Sequence, residues 1–182
     1  MKWTHAAVML AAFADAPHGV VLIERSAHLR RHPSQVGLPG GRADAADGGD
    51  RARTALREMH EELGVAPERL RVVGRLRPQR QTLNGFVVTP IVAVLDAQTP
   101  LIPDGVETLD AFTIPLQTIV AKGAIPKDEA RSAAIGHTTY AIDYDGHHVW
   151  GFTAGILRSF ARAWHMPASP IRAAMQSAFR GD

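Results

Sequence analysis

The chain has 182 residues, of which 46% are hydrophobic and 21% are charged, so it has the composition of a globular domain and not of a disordered chain. No apolar run approaches the roughly 20 residues that cross a bilayer, and the absence of cysteine excludes disulfides and thiolate metal sites. A net charge of +2 with only three lysines argues against a nucleic-acid binder.

The N-terminal segment predicts a pair of strands. Residues 5–13 (HAAVMLAAF) and 19–24 (GVVLIE) are apolar and flank a turn in the sequence DAPHG. The small apolar residues also suggest a signal peptide, but the positive region of such a peptide would be Lys2 alone, and a second apolar run follows the turn. We therefore predict a strand hairpin and a cytoplasmic protein without a membrane partner.

A long loop and a helix follow. Residues 26–50 are rich in Gly, Pro and Arg and are predicted to form a loop, and loops of this length are usually functional or disordered. A helix is predicted from Arg51 to Leu63, because Gly64 is the residue type that most often follows a last helical turn.

The remainder of the chain mixes strands and helices. The stretch 126–143 is predicted to begin as a polar loop and end as a strand. Other strands are predicted over residues 70–78, 85–96, 107–116 and 147–152, and helices over 153–164 and 169–179. The strand at 85–96 is almost continuously apolar and is therefore expected to be central. Without regular β–α alternation, the predicted fold class is α+β and not a doubly wound sheet.

The helix at 51–63 carries an unusual charge pattern. At 100° per residue its apolar residues share one face, and Glu58, Glu61 and Glu62 share the opposite face. Like charges at this spacing destabilise a helix by about 0.2–0.5 kcal/mol per pair, and a helix C-terminus disfavours negative charge. Mg²⁺ and Mn²⁺ bind carboxylate oxygens and leave positions for substrate phosphates. The helix alone leaves two interpretations open, a solvated acidic face and a divalent-metal site.

The preceding loop resolves this choice, because loop and helix together resemble the Nudix box. The family pattern is Gly, five residues, Glu, seven residues, and then Arg-Glu-apolar-x-Glu-Glu-x-Gly-apolar. Residues 57–65 (REMHEELGV) match its second half without exception. In the first half, counted from Gly41, the acidic position is Asp47, and nine residues separate it from Arg57. The GGD at 48–50 therefore resembles a two-residue insertion, which leaves open whether Asp47 pairs with Arg57.

Upstream residues resemble one branch of that family, the coenzyme A pyrophosphatases. The branch pattern is Arg-Ser, three residues, Arg, and then a glycine-like position and an aromatic residue before Pro-Gly-Gly. Arg25, Ser26 and Arg30 match this pattern in residues 22–41, whereas a serine and a leucine stand in for the usual Gly and Phe. Residues 85–95 and 149–157 are also similar to stretches of this branch.

The resemblance implies a fold and an activity. The fold would be a Nudix-like α/β/α sandwich with a mixed sheet between helices, as a single domain over 1–182 with its core at about 5–165 and a C-terminal helix at about 170–179. The activity would be divalent-metal-dependent hydrolysis of a pyrophosphate bond, with Mg²⁺ or Mn²⁺ as cofactor. The expected substrate is coenzyme A or a derivative, cleaved to 3′,5′-ADP and phosphopantetheine or its acyl form. A homodimer is a further expectation.

The resemblance also assigns roles to residues of the box. Glu58, Glu61 and Glu62 are expected to bind the metal, with the carbonyl oxygen of Gly41 or Gly40 as a further ligand. Arg57 is expected to orient a glutamate through a salt bridge. Glu58, Glu61 and Arg57 are thus the expected catalytic residues of the helix.

Residues outside the helix complete the expected site. Arg25, Arg30 and Gly40 are expected to bind substrate phosphates, because guanidinium groups pair well with them and glycine lets backbone approach. Since several Nudix enzymes take their general base from a distant loop, Asp128 and Glu129 are candidate bases beside Glu58. Glu107 is a further candidate.

Two other interpretations of the function remain. A Nudix pyrophosphatase acting on ADP-ribose, NADH or a dinucleoside polyphosphate is the nearest, although the SQPWPFPxS stretch of NADH-specific members is missing. An inactive Nudix-fold binding module is disfavoured because all three box glutamates are present.

Trp150 and Phe152 are predicted to be core residues in preference to adenine-stacking residues, and His60 is predicted to be structural.

Overall fold

The computed structural model describes residues 3–26 and 35–181, so the expected substrate-binding residue Arg30 lies outside the described residues. The strands of the described residues are β1 (Thr4–Phe13), β2 (Gly19–Arg25), β3 (Val36–Gly37), β4 (Gly40–Arg42), β5 (Leu70–Arg75), β6 (Gln79–Gln81), β7 (Phe86–Leu95), β8 (Thr108–Pro115), β9 (Ala141–Tyr144) and β10 (His147–Trp150). The α-helices are α1 (Arg51–Leu63), α2 (Leu116–Val120), α3 (Glu129–Ile135), α4 (Gly151–His165) and α5 (Pro170–Arg180).

Strands β1 to β8 form one mixed sheet. Its main order is β3-β2-β1-β7-β5, while β4 pairs with β1, β6 with β7 and β8 with β2. Strands β1 and β7 run parallel from the pair Thr4–Phe86 to the pair Phe13–Leu95, and the other pairs are antiparallel. The apolar strand β7 lies between β1 and β5, which confirms its predicted central place. Strands β9 and β10 form a separate hairpin.

Helices cover both faces of the sheet. Alternate residues of β1 point to opposite sides, so Leu10 joins the core formed with Phe160 of α4 and Met175 of α5. Met9 joins the second core, which includes Met59 of α1. Fully burying such side chains stabilises the fold by roughly 1.5–3 kcal/mol each. The predicted α+β class, with a mixed sheet between helices, is confirmed.

Helix α1 begins and ends at the predicted residues. The side chain of Asp50 accepts a hydrogen bond from the backbone of Ala52 at 2.8 Å, which caps the first turn. Gly64 has a left-handed backbone (φ 66°), and its N–H donates to the carbonyl oxygen of His60. These two caps set the phase of the helix and therefore the direction in which each box glutamate points.

Two predicted loops contain regular structure. Residues 26–50 include β3 and β4, because β2 supplies the pairing partners of β3 and β1 supplies those of β4, where Ala6 pairs with Arg42 and Val8 with Gly40. The stretch 126–143 includes helix α3, which is too short to produce a clear helical period. The loop predictions were wrong at β3, β4 and α3, because long-range pairing and capping, not local pattern, form these elements. The strand predicted at the end of 126–143 is confirmed by β9. Among the described residues, no helix is both long and apolar enough to cross a membrane.

Candidate active site

Two glycines of β4 bring bare backbone against helix α1. At Gly41, a Cβ atom would lie 2.5 Å from Oε1 of Glu58, so a side chain there would displace the carboxylate. Gly40 has a φ of 152°, and a Cβ atom there would lie 2.6 Å from Cα of Val8. The close approach of β4 to β1 therefore requires glycine at position 40, whereas a side chain at position 41 would move the Glu58 carboxylate.

Arg57 is the centre of a hydrogen-bond network on the polar face of α1. Its guanidinium donates to Asp47 (Nε to Oδ1, 3.1 Å), to Glu58 and Glu61 (Nη1, 2.9 Å each) and to the carbonyl oxygen of Arg42 (Nη2, 2.9 Å). The sequence left the Asp47–Arg57 pair open, and the structure contains it. The network links the loop before the helix, the end of β4 and two box glutamates.

Asp47 is a buried anchor of this network. It is 4% exposed, and its carboxylate also accepts hydrogen bonds from the backbone of Asp44 and the hydroxyl of Thr54 at 2.8 Å each. The hydrogen bond from Arg57 holds the pKa of Asp47 well below its usual range, against the opposing effect of burial. The pKa of Arg57 is raised by the same hydrogen bond. Asp47 is therefore ionised and fixes the orientation of Arg57.

Glu62 is the most deeply placed of the three box glutamates. It is 5% exposed, its Oε2 accepts the N–H of Gly40 at 2.9 Å, and its Oε1 lies 3.9 Å from Nη1 of Arg25. Burial raises its pKa to about 8, and the charges of Glu58 and Glu107 contribute, while Gly40 and Arg25 act against this rise. Its negative charge is thus incompletely compensated by the neighbouring donors.

Glu58 and Glu61 differ in their exposure. The side chain of Glu58 is 14% exposed, whereas that of Glu61 is 53% exposed. Burial raises the pKa of Glu58, and the nearby charges of Glu61 and Glu107 raise it further, against the opposing effect of Arg57. The polar face of α1 therefore concentrates negative charge toward β4 and Glu107.

The loop that carries Glu107 is attached to the C-terminal end of α1. The backbone N–H of Ile102 donates to the carbonyl oxygen of Leu63 at 2.9 Å, and that of Asp104 donates to the carbonyl oxygen of Glu62 at 3.0 Å. The carbonyl oxygen of Glu107 accepts the N–H of Ser26 at 2.9 Å. These contacts hold Glu107 close enough to the box glutamates to raise the pKa of both Glu58 and Glu62.

The other two loop candidates have partners of their own. Asp128 caps α3 by accepting the N–H of Arg131 at 2.9 Å, and its Oδ2 lies 3.3 Å from Nε of Arg131. The side chain of Glu129 is 76% exposed and pairs with Lys127 at 2.7 Å. Both carboxylates therefore have local structural roles.

The carboxylates have the chemistry of a divalent-metal site, although they do not converge as they stand. Within 3–26 and 35–181, no group of three or more His, Asp or Glu side chains is arranged to hold a metal ion. Glu58 and Glu61 are instead held by Arg57, and Glu62 by Gly40. The donors nevertheless fit Mg²⁺ or Mn²⁺, since they are carboxylates beside a glycine backbone, and the high pKa of Glu62 reflects uncompensated negative charge.

A cavity of about 390 Å³ lies beside Gly40 and Gly41. We call it the aromatic cavity; its walls include the rings of Phe86, Trp150 and Phe152, the polar side chains of Gln35, Gln81 and Asn84, and Arg25 and Arg42. The guanidinium of Arg131 lies over the Trp150 ring, 4.0 Å from its centre. The cavity combines apolar faces with a few polar groups, as small-molecule sites commonly do.

The aromatic cavity corrects the prediction that Trp150 is a core residue, because Trp150 is half-buried and lines the cavity. Phe152 packs against the core as predicted and also lines the cavity. Trp150 is the last residue of β10 and Phe152 lies in the first turn of α4, so their position beside the cavity depends on tertiary packing. The hydrophobicity of a side chain does not show whether it is buried in the core or lines a cavity.

Arg25 lies between Glu62 and the aromatic cavity. Its Nη1 is 3.9 Å from Glu62, and its Nε is buried without a hydrogen-bond partner among the described residues. An unpaired buried donor costs about 1–3 kcal/mol, and more when charged. The structure thus brings Arg25 and Gly40, two of the three expected substrate-binding residues, to the same cavity.

Comparison with known protein families and sequences gives similarities over most of the chain. A model of the NUDIX domain matches residues 3–134. An uncharacterized Nudix hydrolase, NudL of Citrobacter koseri, is 35% identical over 156 residues, which cover 86% of this chain and 80% of that protein. NudL of Pectobacterium atrosepticum, also described as an uncharacterized Nudix hydrolase, is 36% identical over 156 residues, which again cover 86% of this chain and 80% of that protein.

Solved structures show the same fold. A putative nudix hydrolase family member from Chromobacterium violaceum has a TM-score of 0.59 at 18% identity, covering 99% of this chain and 92% of that chain. An Ap4A hydrolase from C. elegans, solved as a binary complex, has a TM-score of 0.55 at 19% identity, covering 87% and 96%. At such identities these likenesses concern the fold alone.

Proposed function

The chain belongs to the Nudix hydrolase family, and we propose that the pyrophosphate bond it hydrolyses is that of coenzyme A or a coenzyme A derivative. Enzymes of this family act on pyrophosphate bonds of small nucleotide substrates and generally use divalent metal ions. The substrate is the part of the proposal that goes beyond the family.

The observation that carries this proposal is the position of Arg25. It belongs to the Arg-Ser segment that resembles the coenzyme A pyrophosphatases, and its side chain, 26% exposed, lines the aromatic cavity. A phosphate oxygen is a suitable acceptor for its guanidinium, because charge-assisted hydrogen bonds to phosphate are strong. Arg25 would thus hold the diphosphate beside Glu62.

The residues proposed to hold Mg²⁺ or Mn²⁺ are Glu58, Glu61 and Glu62, with the carbonyl oxygen of Gly41. A bound divalent ion would neutralise the charge of the diphosphate and favour ionisation of the attacking water. Arg57 would position Glu58 and Glu61 for this role, since it contacts both carboxylates and is itself oriented by Asp47.

We assign the general base to Glu107 in preference to Asp128 and Glu129. Glu107 lies near the box glutamates, whereas Asp128 caps α3 and Glu129 pairs with Lys127. In the reaction, Glu107 would accept a proton from the attacking water while oxygen bonds to one phosphorus and the bridging P–O bond breaks. The products would be 3′,5′-ADP and phosphopantetheine, or its acyl form.

The aromatic cavity is proposed to take the adenine ring. Trp150 offers a π-face whose orientation is stabilised by Arg131, and the polar side chains at 35, 81 and 84 can bond the ring edge. A homodimer and a cytoplasmic location stay predictions.

The test is hydrolysis of coenzyme A with Mg²⁺ or Mn²⁺, alongside ADP-ribose, NADH and Ap4A. We expect a clear preference for coenzyme A, loss of activity in Glu62→Gln, and a kcat/KM lowered about 10- to 100-fold in Arg25→Ala. Arg75→Ala, which removes an exposed arginine of β5, is the matched control. Equal or faster turnover of another substrate would overturn the coenzyme A assignment but keep a Nudix pyrophosphatase. If none of these substrates is hydrolysed, an inactive binding module is favoured.

A further inference from the structure

A second cavity, of about 500 Å³, shares Arg42 as a lining residue with the aromatic cavity. We call it the cationic cavity; it is lined by Trp3, His5, Arg42 and Arg51, and by Gly49 of the two-residue insertion. Neither the family motif nor the proposed reaction accounts for this cavity. Its basic side chains indicate an anionic ligand.

Arg42 lies where three cavities meet. It lines the aromatic cavity, the cationic cavity and a third cavity of about 530 Å³ that is bordered by Arg57 and Glu61, which we call the carboxylate cavity. Its backbone is fixed by pairing with Ala6 and by the hydrogen bond from Arg57 to its carbonyl oxygen. Its side chain is exposed, so the guanidinium is accessible from the junction.

The charges of the cationic cavity are largely uncompensated. Among the residues that the structure describes, neither the guanidinium of Arg42 nor that of Arg51 has an ion pair or hydrogen-bond partner. The one acidic residue lining this described surface is Asp44, whose carboxylate already accepts the N–H of Ala46 at 2.8 Å. Two unpaired guanidinium groups at one cavity suit a phosphate monoester, which offers a double charge and several acceptor oxygens.

A nucleotide with an extra phosphate on its ribose has the matching shape. Its base and its phosphate monoester are carried by different carbons of one ribose, and Arg42 lines both the aromatic cavity and the cationic cavity. We propose that the cationic cavity binds a phosphate monoester on the substrate ribose, with Arg42 and Arg51 as its ligands and as determinants of specificity. In coenzyme A this group is the 3′-phosphate, so the inference rests on the proposed function for its substrate.

The test compares coenzyme A with dephospho-coenzyme A, which differ only in that phosphate. In the wild type we expect coenzyme A to have the higher kcat/KM. In Arg42→Ala and Arg51→Ala the value for coenzyme A should fall about 10- to 100-fold, while that for dephospho-coenzyme A changes less than about threefold. Arg42→Lys should recover part of the loss. Arg53→Ala, two residues along α1 and outside the cavity, is the matched control.

Direct binding without metal gives a second measurement that does not depend on turnover. Calorimetry in EDTA should show tighter binding of 3′,5′-ADP than of AMP, and the double variant Arg42→Ala/Arg51→Ala should lose the difference. Melting curves of each variant identify any that fail to fold.

The outcomes separate the inference from the proposed function. Equal losses for both substrates, or a wild type that does not distinguish them, would overturn the 3′-phosphate assignment while coenzyme A hydrolysis still stands. If neither substrate is hydrolysed, the proposed function fails. A preference for 3′,5′-ADP over AMP that the double variant loses would then still support a phosphate monoester site in the cationic cavity.

Discussion

The guanidinium Nε of Arg57 donates to the buried carboxylate of Asp47 at 3.1 Å, although nine residues, including a two-residue insertion, separate them along the chain. The insertion is accommodated at Gly48 and Gly49, both of which have positive φ. The loop is fixed at both ends, because Asp47 before it contacts Arg57 and Asp50 after it caps α1.

Replacing Asp47 by asparagine should weaken both the fold and the active site. The variant leaves Arg57 with fewer charged partners in a partly buried place, so we expect the free energy of unfolding to fall by about 1–3 kcal/mol. Activity should also fall, because Arg57 would orient Glu58 and Glu61 less well. Urea unfolding and kcat/KM measure these effects. Asp110→Asn, at an exposed position of β8, should change neither the free energy of unfolding nor kcat/KM. If Asp47→Asn leaves both quantities unchanged, Asp47 does not anchor Arg57.

The stability of the metal-free protein should depend on pH through Glu62. Its pKa rises from the usual 4.5 to about 8 in the folded protein, so the folded state binds more protons than the unfolded state between these values. Stability is therefore fully present below about pH 4.5 and is lost as pH rises toward 8, by on the order of a few kcal/mol. Thermal unfolding in EDTA should show this loss, and Glu62→Gln should reduce it.

Metal ions and Asp47 also affect how the stability of the protein depends on pH. Mg²⁺ or Mn²⁺ at pH 8 should raise the melting temperature of the wild type more than that of Glu62→Gln. The lowered pKa of Asp47 acts in the opposite direction, because its contribution is present above its usual value of 3.8 and is lost as pH falls below it. A Glu62→Gln variant with the same slope as the wild type between pH 5 and 8 would contradict the role given to burial.

Substitution of Glu107 should separate the candidate bases. Glu107→Gln removes a proton acceptor near the box glutamates, and we expect kcat to fall about 10²- to 10⁴-fold with little change in the melting temperature. Asp128→Asn and Glu129→Gln should lower kcat less than about threefold, because these residues have local partners near α3. A large loss in Asp128→Asn at unchanged stability would transfer the role to that residue.

Replacement of Trp150 tests the aromatic cavity. Stacking of a base on an aromatic ring is worth about 1–3 kcal/mol, so Trp150→Ala should raise KM for coenzyme A roughly tenfold or more, with a smaller effect on kcat. Trp150→Phe should retain most of the affinity. Trp164→Phe, at a core position of α4, is a control for general loss of packing. If Trp150→Ala lowers stability without raising KM, the residue has only a packing role.

The local sequence pattern predicted those helices and strands that are formed by interactions between residues close together in the chain. Helix α1 follows from its caps and apolar period, and the central place of β7 follows from its continuous apolar run. The carboxylate face of Glu58, Glu61 and Glu62 follows from the helical repeat. In contrast, β4 contains two glycines and has no apolar alternation, so nothing local distinguishes it from the surrounding loop. Its strand conformation depends on β1, more than thirty residues earlier in the chain.

What the sequence by itself determined is the family, the helix that carries the box glutamates and the residue types that favour a divalent cation and phosphate. These depend on spacing along one helix and one motif. Only the tertiary structure decided that Asp47 anchors Arg57, that the loop of Glu107 is attached to the end of α1 whereas Asp128 caps α3, and that Trp150 lines a cavity. These relationships join residues from separate elements, and long-range packing, which pairs β4 with β1 and attaches the Glu107 loop to the end of α1, determines their distances.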